Sequence, residues 1–170
     1  WAQSRKEGAW HGMNQRVYAL RSVASLPDVS GAPRRATLDD LGRAAAWRDA
    51  FLIACFGESD GDKCEQDTRA VIEAENLYVW EDPAPVSMAG YSRPTPNGVA
   101  ISLVYTPPEK RGHGYASALV ASLCRRALGN GKKFCTLHAD LANPTSNHIY
   151  QRIGFRPVAN VVEVRFSSPV

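Results

Sequence analysis

Polar and apolar side chains alternate through Arg16-Val-Tyr-Ala-Leu-Arg-Ser-Val23, the period of two that marks a strand with one buried face. After a loop, Thr37-Leu-Asp-Asp40 offers a helix N-cap with acids in the first turn, and Leu41, Ala45, Phe51 and Leu52 predict an apolar helical face running to about Cys55. The acidic, glycine-containing stretch 57–62 reads as a loop, and a second helix is expected from Glu65 to Glu75. Leu77-Tyr-Val-Trp80 and Val86 to Ser92 read as strands joined at Asp82-Pro-Ala-Pro85. A turn over Pro94-Thr-Pro-Asn-Gly98 leads into the third strand of this meander, Val99 to Thr106. The period then changes: Ala116, Leu119, Val120, Leu123 and Ala127 recur at helical spacing, and Gly129 to Gly131 closes that helix. Phe134 to Ala139 is the next strand. Asn143 as N-cap and Pro144 at the first helical position open a last helix, which Gly154 ends before two short strands, Phe155 to Val158 and Val161 to Phe166. The order β-α-α-β-β-β-α-β-α-β-β places the chain in the mixed α/β class, of the α+β type.

Two segments carry more than packing information. Val104-Tyr-Thr-Pro-Pro-Glu-Lys-Arg-Gly-His-Gly-Tyr-Ala-Ser117 runs from a strand end into a basic, glycine-punctuated loop and then a helix. Gly112, Gly114 and Ala116 remove bulk at every second residue, so unpaired backbone N–H groups can close on phosphate oxygens in the positive field of the helix end. Lys110, Arg111 and His113 add side-chain donors. Nucleotide loops fit less well: there is no Gly-x-x-x-x-Gly-Lys-Ser/Thr, and a dinucleotide loop needs a third glycine where Ser117 stands. The second segment, Asn143-Pro-Thr-Ser-Asn-His-Ile-Tyr150-Gln-Arg-Ile-Gly-Phe155, puts Asn143, Ser146 and Tyr150 on one helical stripe.

Together these segments resemble the acyl-CoA-binding loop and the second motif of the GNAT superfamily of N-acetyltransferases, Arg/Gln-x-x-Gly-x-Gly/Ala and Asn-x-x-Ser-x-x-x-Tyr-x-x-x-Gly-Phe. The resemblance covers residues 14 to 168, in motif over 98–157 and in element order elsewhere. It implies a central, mixed, mostly antiparallel sheet of about six to seven strands flanked by about four helices and splayed between its fourth and fifth strands. Residues 1–13 are then an N-terminal tail and 14–170 the acetyltransferase domain. In that fold the pantetheine arm of acetyl-CoA lies in the splay on backbone donors of Val104, Tyr105 and Thr106. Arg111, Gly112, His113, Gly114, Tyr115, Ala116 and Ser117 hold the pyrophosphate, Asn143 and Ser146 the arm or phosphate. Tyr150 is the expected general acid for the departing thiolate. The acceptor is a primary amine, on a small molecule such as an amino acid, polyamine or aminoglycoside-like antibiotic, or on a protein N-terminus or lysine. A non-catalytic acyl-CoA-binding module would keep the loop without needing Tyr150. The base that deprotonates the amine stays open among Glu58, Asp60, Glu81, Asp82 and His138.

Composition narrows the classes further. At 170 residues, 44% hydrophobic and 22% charged, the chain has the material for one core. A net charge of +3, without a basic-aromatic stripe, suits a polyanionic cofactor rather than nucleic acid. No apolar run is long enough to span a bilayer and no signal-peptide pattern opens the chain, so a soluble cytoplasmic monomer or homodimer without a membrane partner is expected. The chain begins at Trp1 rather than Met, as a fragment of a longer protein would. Cys55, Cys64, Cys124 and Cys135 lack paired spacing and read as reduced thiols; Cys124, Cys135 and His138 lack a fourth zinc ligand, so no metal is expected. Of Trp47, Tyr78, Trp80, Tyr91 and Tyr105, only Tyr105 is assigned to a cleft.

Overall fold

The computed structural model describes residues 9–61 and 63–166. Its strands are β1 (Ala9–Leu20), β2 (Ala32–Arg35), β3 (Leu77–Glu81), β4 (Pro85–Ser92), β5 (Gly98–Tyr105), β6 (Phe134–Asp140) and β7 (Arg156–Phe166). Its helices are α1 (Leu41–Phe56), α2 (Lys63–Glu73), α3 (Tyr115–Gly129) and α4 (Pro144–Ile153). The strands form one mixed, open sheet in the order β2-β3-β4-β5-β6-β1-β7. Every neighbouring pair is antiparallel except β5 and β6.

Two apolar clusters fix the layers. On one face α3 and α4 cover Tyr18, Leu20, Tyr78, Trp80, Val99, Ile101, Cys135 and Leu137, with Leu119, Val120 and Leu123 of the expected α3 stripe buried against them. On the other face Leu41 and Ala44 of α1 and Ile72 of α2 pack on Leu77, Val79 and Met88. The α1–α2 layer is anchored at its start by Arg34, whose guanidinium spans Asp40 and Glu81, while the Asp40 carboxylate also accepts from the Thr37 N–H. That pairing holds the Asp40 carboxyl below the usual carboxylate range. Among the described residues no helix is long and apolar enough to cross a membrane.

The sequence-based elements change at the ends of the chain. β1 begins at Ala9, inside the stretch read as a tail, and stops at Leu20; residues 1–8 lie outside the described part. The two short C-terminal strands are one strand, β7, because β1 is long enough to pair along it from Ala9 to Ala19, with two register shifts absorbing the break. β2, Ala-Pro-Arg-Arg, carries no strand pattern and forms because β3 offers it a free edge. Strand number is thus seven, with one more strand early and one fewer late than the sequence pattern predicts.

Candidate functional site

β5 and β6 are hydrogen-bonded only where Gly98–Ala100 meets Phe134–Thr136. Gly98 makes this closed end possible: a Cβ there would lie 2.3 Å from the Phe134 ring. Beyond Ala100 the strands part, so the backbone groups of β5 that point toward β6 lack ladder partners and an extended ligand can take that place. β5 is bent as it opens. Met88 pairs with Tyr105 and Gly90 with Ser102, so β5 carries one residue more than β4 across this interval, and Leu103 sits at φ 52°. A left-handed leucine in a strand is a strained bulge that re-aims Val104 and Tyr105. Ser87 fastens the bulge from the β4 side, its buried hydroxyl bonding the Tyr105 carbonyl at 3.0 Å and the Thr106 hydroxyl at 2.8 Å.

The loop after β5 turns into α3 through two left-handed glycines. Gly112 and Gly114 both have φ near +84°, at 83° and 84°, and Gly114 is the left-handed N-cap of α3. The first helical bond of that turn is Ala118 N–H to the Gly114 carbonyl; the six N–H groups from Gly112 to Ser117 find no acceptor among the described residues. Such a run of donors facing outward at a helix start is a site for an anion. Side chains brace it from behind. Arg111 Nε donates to the Thr106 carbonyl, the His113 ring lies against Tyr115, and the Tyr115 hydroxyl donates to Asp82, which also accepts from Ser30. Val29 touches the loop at Gly114, where a Cβ would come within 3.1 Å. The Tyr115 phenol is thus engaged by Asp82, while its backbone N–H stays open.

α4 approaches the splay from the side of α3. The Asn143 side-chain oxygen caps the helix by accepting from Ser146 N–H at 2.9 Å, which commits that oxygen to structure. Tyr150 is 8% exposed, with Tyr18 and Phe155 against its ring. Its hydroxyl has no hydrogen-bond partner among the described residues. Burial raises its pKa above the ordinary tyrosine value, and the nearby Cys55 thiol adds to the rise. Cys55 belongs to α1, in the layer on the other face of the sheet.

The α1 side of the splay is only part-covered. Tyr105 meets Trp47 there at 6.3 Å between ring centres, while Phe51 and Leu52 stay half-exposed. β6 turns Cys135, Leu137 and Ala139 into the core and therefore places Thr136, His138 and Asp140 on this face. Of the five groups left open as bases, Glu81 is engaged by Arg34 and Asp82 by Ser30 and Tyr115; those two hydrogen bonds lower the Asp82 pKa and weaken it as a base. Glu58 and Asp60 lie in the α1–α2 loop beyond the end of α1. His138 alone sits on a strand bordering the splay, and partial burial, with Arg93 nearby, lowers its pKa below the ordinary histidine value.

The structure thus brings Val104, Tyr105, Thr106 and the 111–117 loop to one lip of the opening and Tyr150 to the other. Asn143 and Ser146 stand at the exposed start of α4. Sequence reasoning missed Leu103, Ser87, Gln15 and Asn147. Leu103 is silent because a bulge residue with an apolar side chain keeps the strand pattern; the others bond to partners more than a dozen residues away.

Comparison with known proteins follows the same line. The family model described as "Acetyltransferase (GNAT) family" matches residues 44–155. A GNAT-family acetyltransferase from Colwellia psychrerythraea superposes with a TM-score of 0.73 at 16% identity, covering 94% of this chain and 58% of that one. A GCN5-related N-acetyltransferase from Kribbella flavida gives 0.69 at 16% identity, covering 96% and 62%. The chain therefore spans about three fifths of these two relatives. AAC(6')-Iy, solved with the bisubstrate analogue CoA-S-monomethyl-acetylneamine, gives 0.67 at 18% identity and covers 81% of this chain and 98% of that one. No curated protein sequence matches. At these identities the solved structures speak for the fold alone, and the family match, over most of the chain, makes it a member of the GNAT acetyltransferase family.

Proposed function

We propose that the chain transfers the acetyl group of acetyl-CoA to the primary amine of a small molecule by direct attack in a ternary complex. The observation that carries this reading is the run of six outward N–H groups at Gly112–Ser117, opening onto a splay that Tyr150 borders. The pyrophosphate fits the N–H run, aided by Lys110 and Arg111, and the pantetheine arm fits the unpaired edge of β5. The acetyl carbonyl then lies near the bulge, where an N–H within Val104–Thr106 polarises it and holds the oxyanion. The bound CoA analogue of AAC(6')-Iy supports both the cofactor and a small amine as acceptor.

The amine arrives as ammonium and loses its proton to His138, whose lowered pKa keeps the imidazole neutral and receptive near pH 7. A neutral amine held about 3 Å from the carbonyl needs little further help beyond its placement. The N–C bond forms, the C–S bond breaks and the thiolate takes its proton from Tyr150, while the second proton that the nitrogen sheds as it becomes an amide passes through solvent and restores the phenol. The raised phenol pKa has two sides: it keeps the donor protonated throughout the working range, and it makes full transfer more uphill than an ordinary tyrosine would. Tyr150 therefore acts mainly by a hydrogen bond to sulfur that tightens as charge develops there.

Incubation with acetyl-CoA and an amine panel, reading free thiol and acetylated product, tests the reading. Thiol release with one amine class supports it. CoA binding without thiol release for any amine would make the protein an acyl-CoA binder, and a melting temperature indifferent to CoA would remove the cradle from the account.

A further inference from the structure

β1 does more than fill a place in the sheet. It lies between β6 and β7, paired to both, and Val17 stands opposite His138. Two residues earlier, Gln15 reaches along the same face, and its Oε1 lies 3.1 Å from His138 Nδ1. The orientation of that amide is set by its other end, since Gln15 Nε2 donates to the Met13 sulfur at 3.3 Å. An amide oxygen only accepts, so the short contact requires the proton on Nδ1. The Nε2 lone pair is then left bare, with no acceptor or donor from a described residue against it. A solvated neutral imidazole favours the opposite tautomer, with its proton on Nε2, in which the outward nitrogen could not take a proton.

We propose that Gln15 is a positioning residue that holds His138 as the Nδ1–H tautomer, so that Nε2 faces the acceptor cleft as the proton acceptor. This rests on the reading of His138 as the base. The other groups facing the imidazole are Arg93 at the end of β4, which disfavours the imidazolium, and Asp140 two residues along β6. The Asp140 carboxylate is held by the Ala142 N–H at 2.8 Å, so it does not compete for Nδ1.

The test separates the two claims. The chain has 4 histidines, so nitrogen-15 imidazole spectra of His-labelled protein are tractable, with assignment by His138→Gln. Gln15→Leu should convert His138 largely to the Nε2–H form and lower kcat roughly tenfold, with KM for acetyl-CoA unchanged. Gln15→Glu keeps an acceptor on Nδ1, so the tautomer stays and the activity is rescued. Its negative charge raises the His138 pKa, so the acid limb of kcat/KM moves to higher pH. Persistence of the Nδ1–H form in Gln15→Leu overturns the assignment to Gln15. The base is tested independently: if His138→Gln leaves the acid limb in place, His138 is not the base, whatever the spectra of the Gln15 variants show. Gln15 sits at a part-exposed position, and Gln15→Glu supplies a folded comparison should Gln15→Leu be unstable.

Discussion

The two lips of the splay are built in opposite ways. The β5 lip comes from one contiguous stretch: β3, β4, β5, the glycine loop and α3 follow one another from residue 77 to 129, and each packs on its chain neighbour. The β6 lip is assembled from both ends of the chain, with β1 inserted between β6 and β7 and Tyr18 bonded across to Asn147 of α4. The first lip presents backbone donors whose geometry is written in glycines. The second presents side chains: the Tyr150 ring packs against Tyr18 and His138 contacts Gln15, both partners more than 120 residues away. A ligand that is gripped by the first and processed by the second should therefore lose binding when one lip is damaged and turnover when the other is.

The largest separation is expected from Gly114→Val. That residue holds φ 84° and has Val29 within 3.1 Å of a would-be Cβ, so a β-branched side chain is both strained and crowded, and the N–H run behind it is displaced. Acetyl-CoA affinity should fall on the order of a hundredfold by calorimetry, each tenfold being about 1.4 kcal/mol. An unchanged affinity would mean that the phosphates bind elsewhere. Tyr150→Phe is the reciprocal break. It should cut kcat by roughly ten- to a thousandfold while the dissociation constant for acetyl-CoA stays within about threefold. Equal loss of both would show that the two lips act as one unit; unchanged kcat would leave Tyr150 as packing only.

The same contrast explains what could be read from the chain itself. Gly112, Gly114 and Ala116 announce the tight turn into α3 because such a turn needs small residues at fixed, short spacing, and the strand before it and helix after it are strongly periodic. Asn143 and Tyr150 are visible for the same reason, as one stripe of one helix. Nothing local marks Gln15 as a partner of His138, or Tyr18 as one of Asn147, because those contacts are created by where β1 inserts. The continuous β7 was hidden likewise: Asn160 interrupts its apolar run, and only pairing with β1 carries the strand through. Leu103 shows the limit at a single residue, since its side chain fits a strand while its φ of 52° does not.

A smaller effect sharpens the comparison by touching the second lip without touching its chemistry. Tyr18 is fully buried and donates its hydroxyl to Asn147 Oδ1 at 2.7 Å, while the Asn147 amide nitrogen donates to the carbonyls of Asp140 and Asn143 at 2.7 Å each. This one asparagine thus ties β1, the end of β6 and the cap of α4 together. Tyr18→Phe keeps the ring against Tyr150 but leaves Asn147 Oδ1 without its donor, a loss of about 1–2 kcal/mol of folding stability measurable as a lower denaturant midpoint at unchanged slope. Because the lesion loosens α4 and not the glycine loop, acetyl-CoA affinity should hold while kcat drops a fewfold through a less firmly held Tyr150. If stability falls and kcat does not, the junction is architectural and the aim of Tyr150 is fixed by Phe155 and the core beneath it; if acetyl-CoA affinity falls as well, the two lips are mechanically coupled through the sheet and their division of labour is less complete than their construction implies.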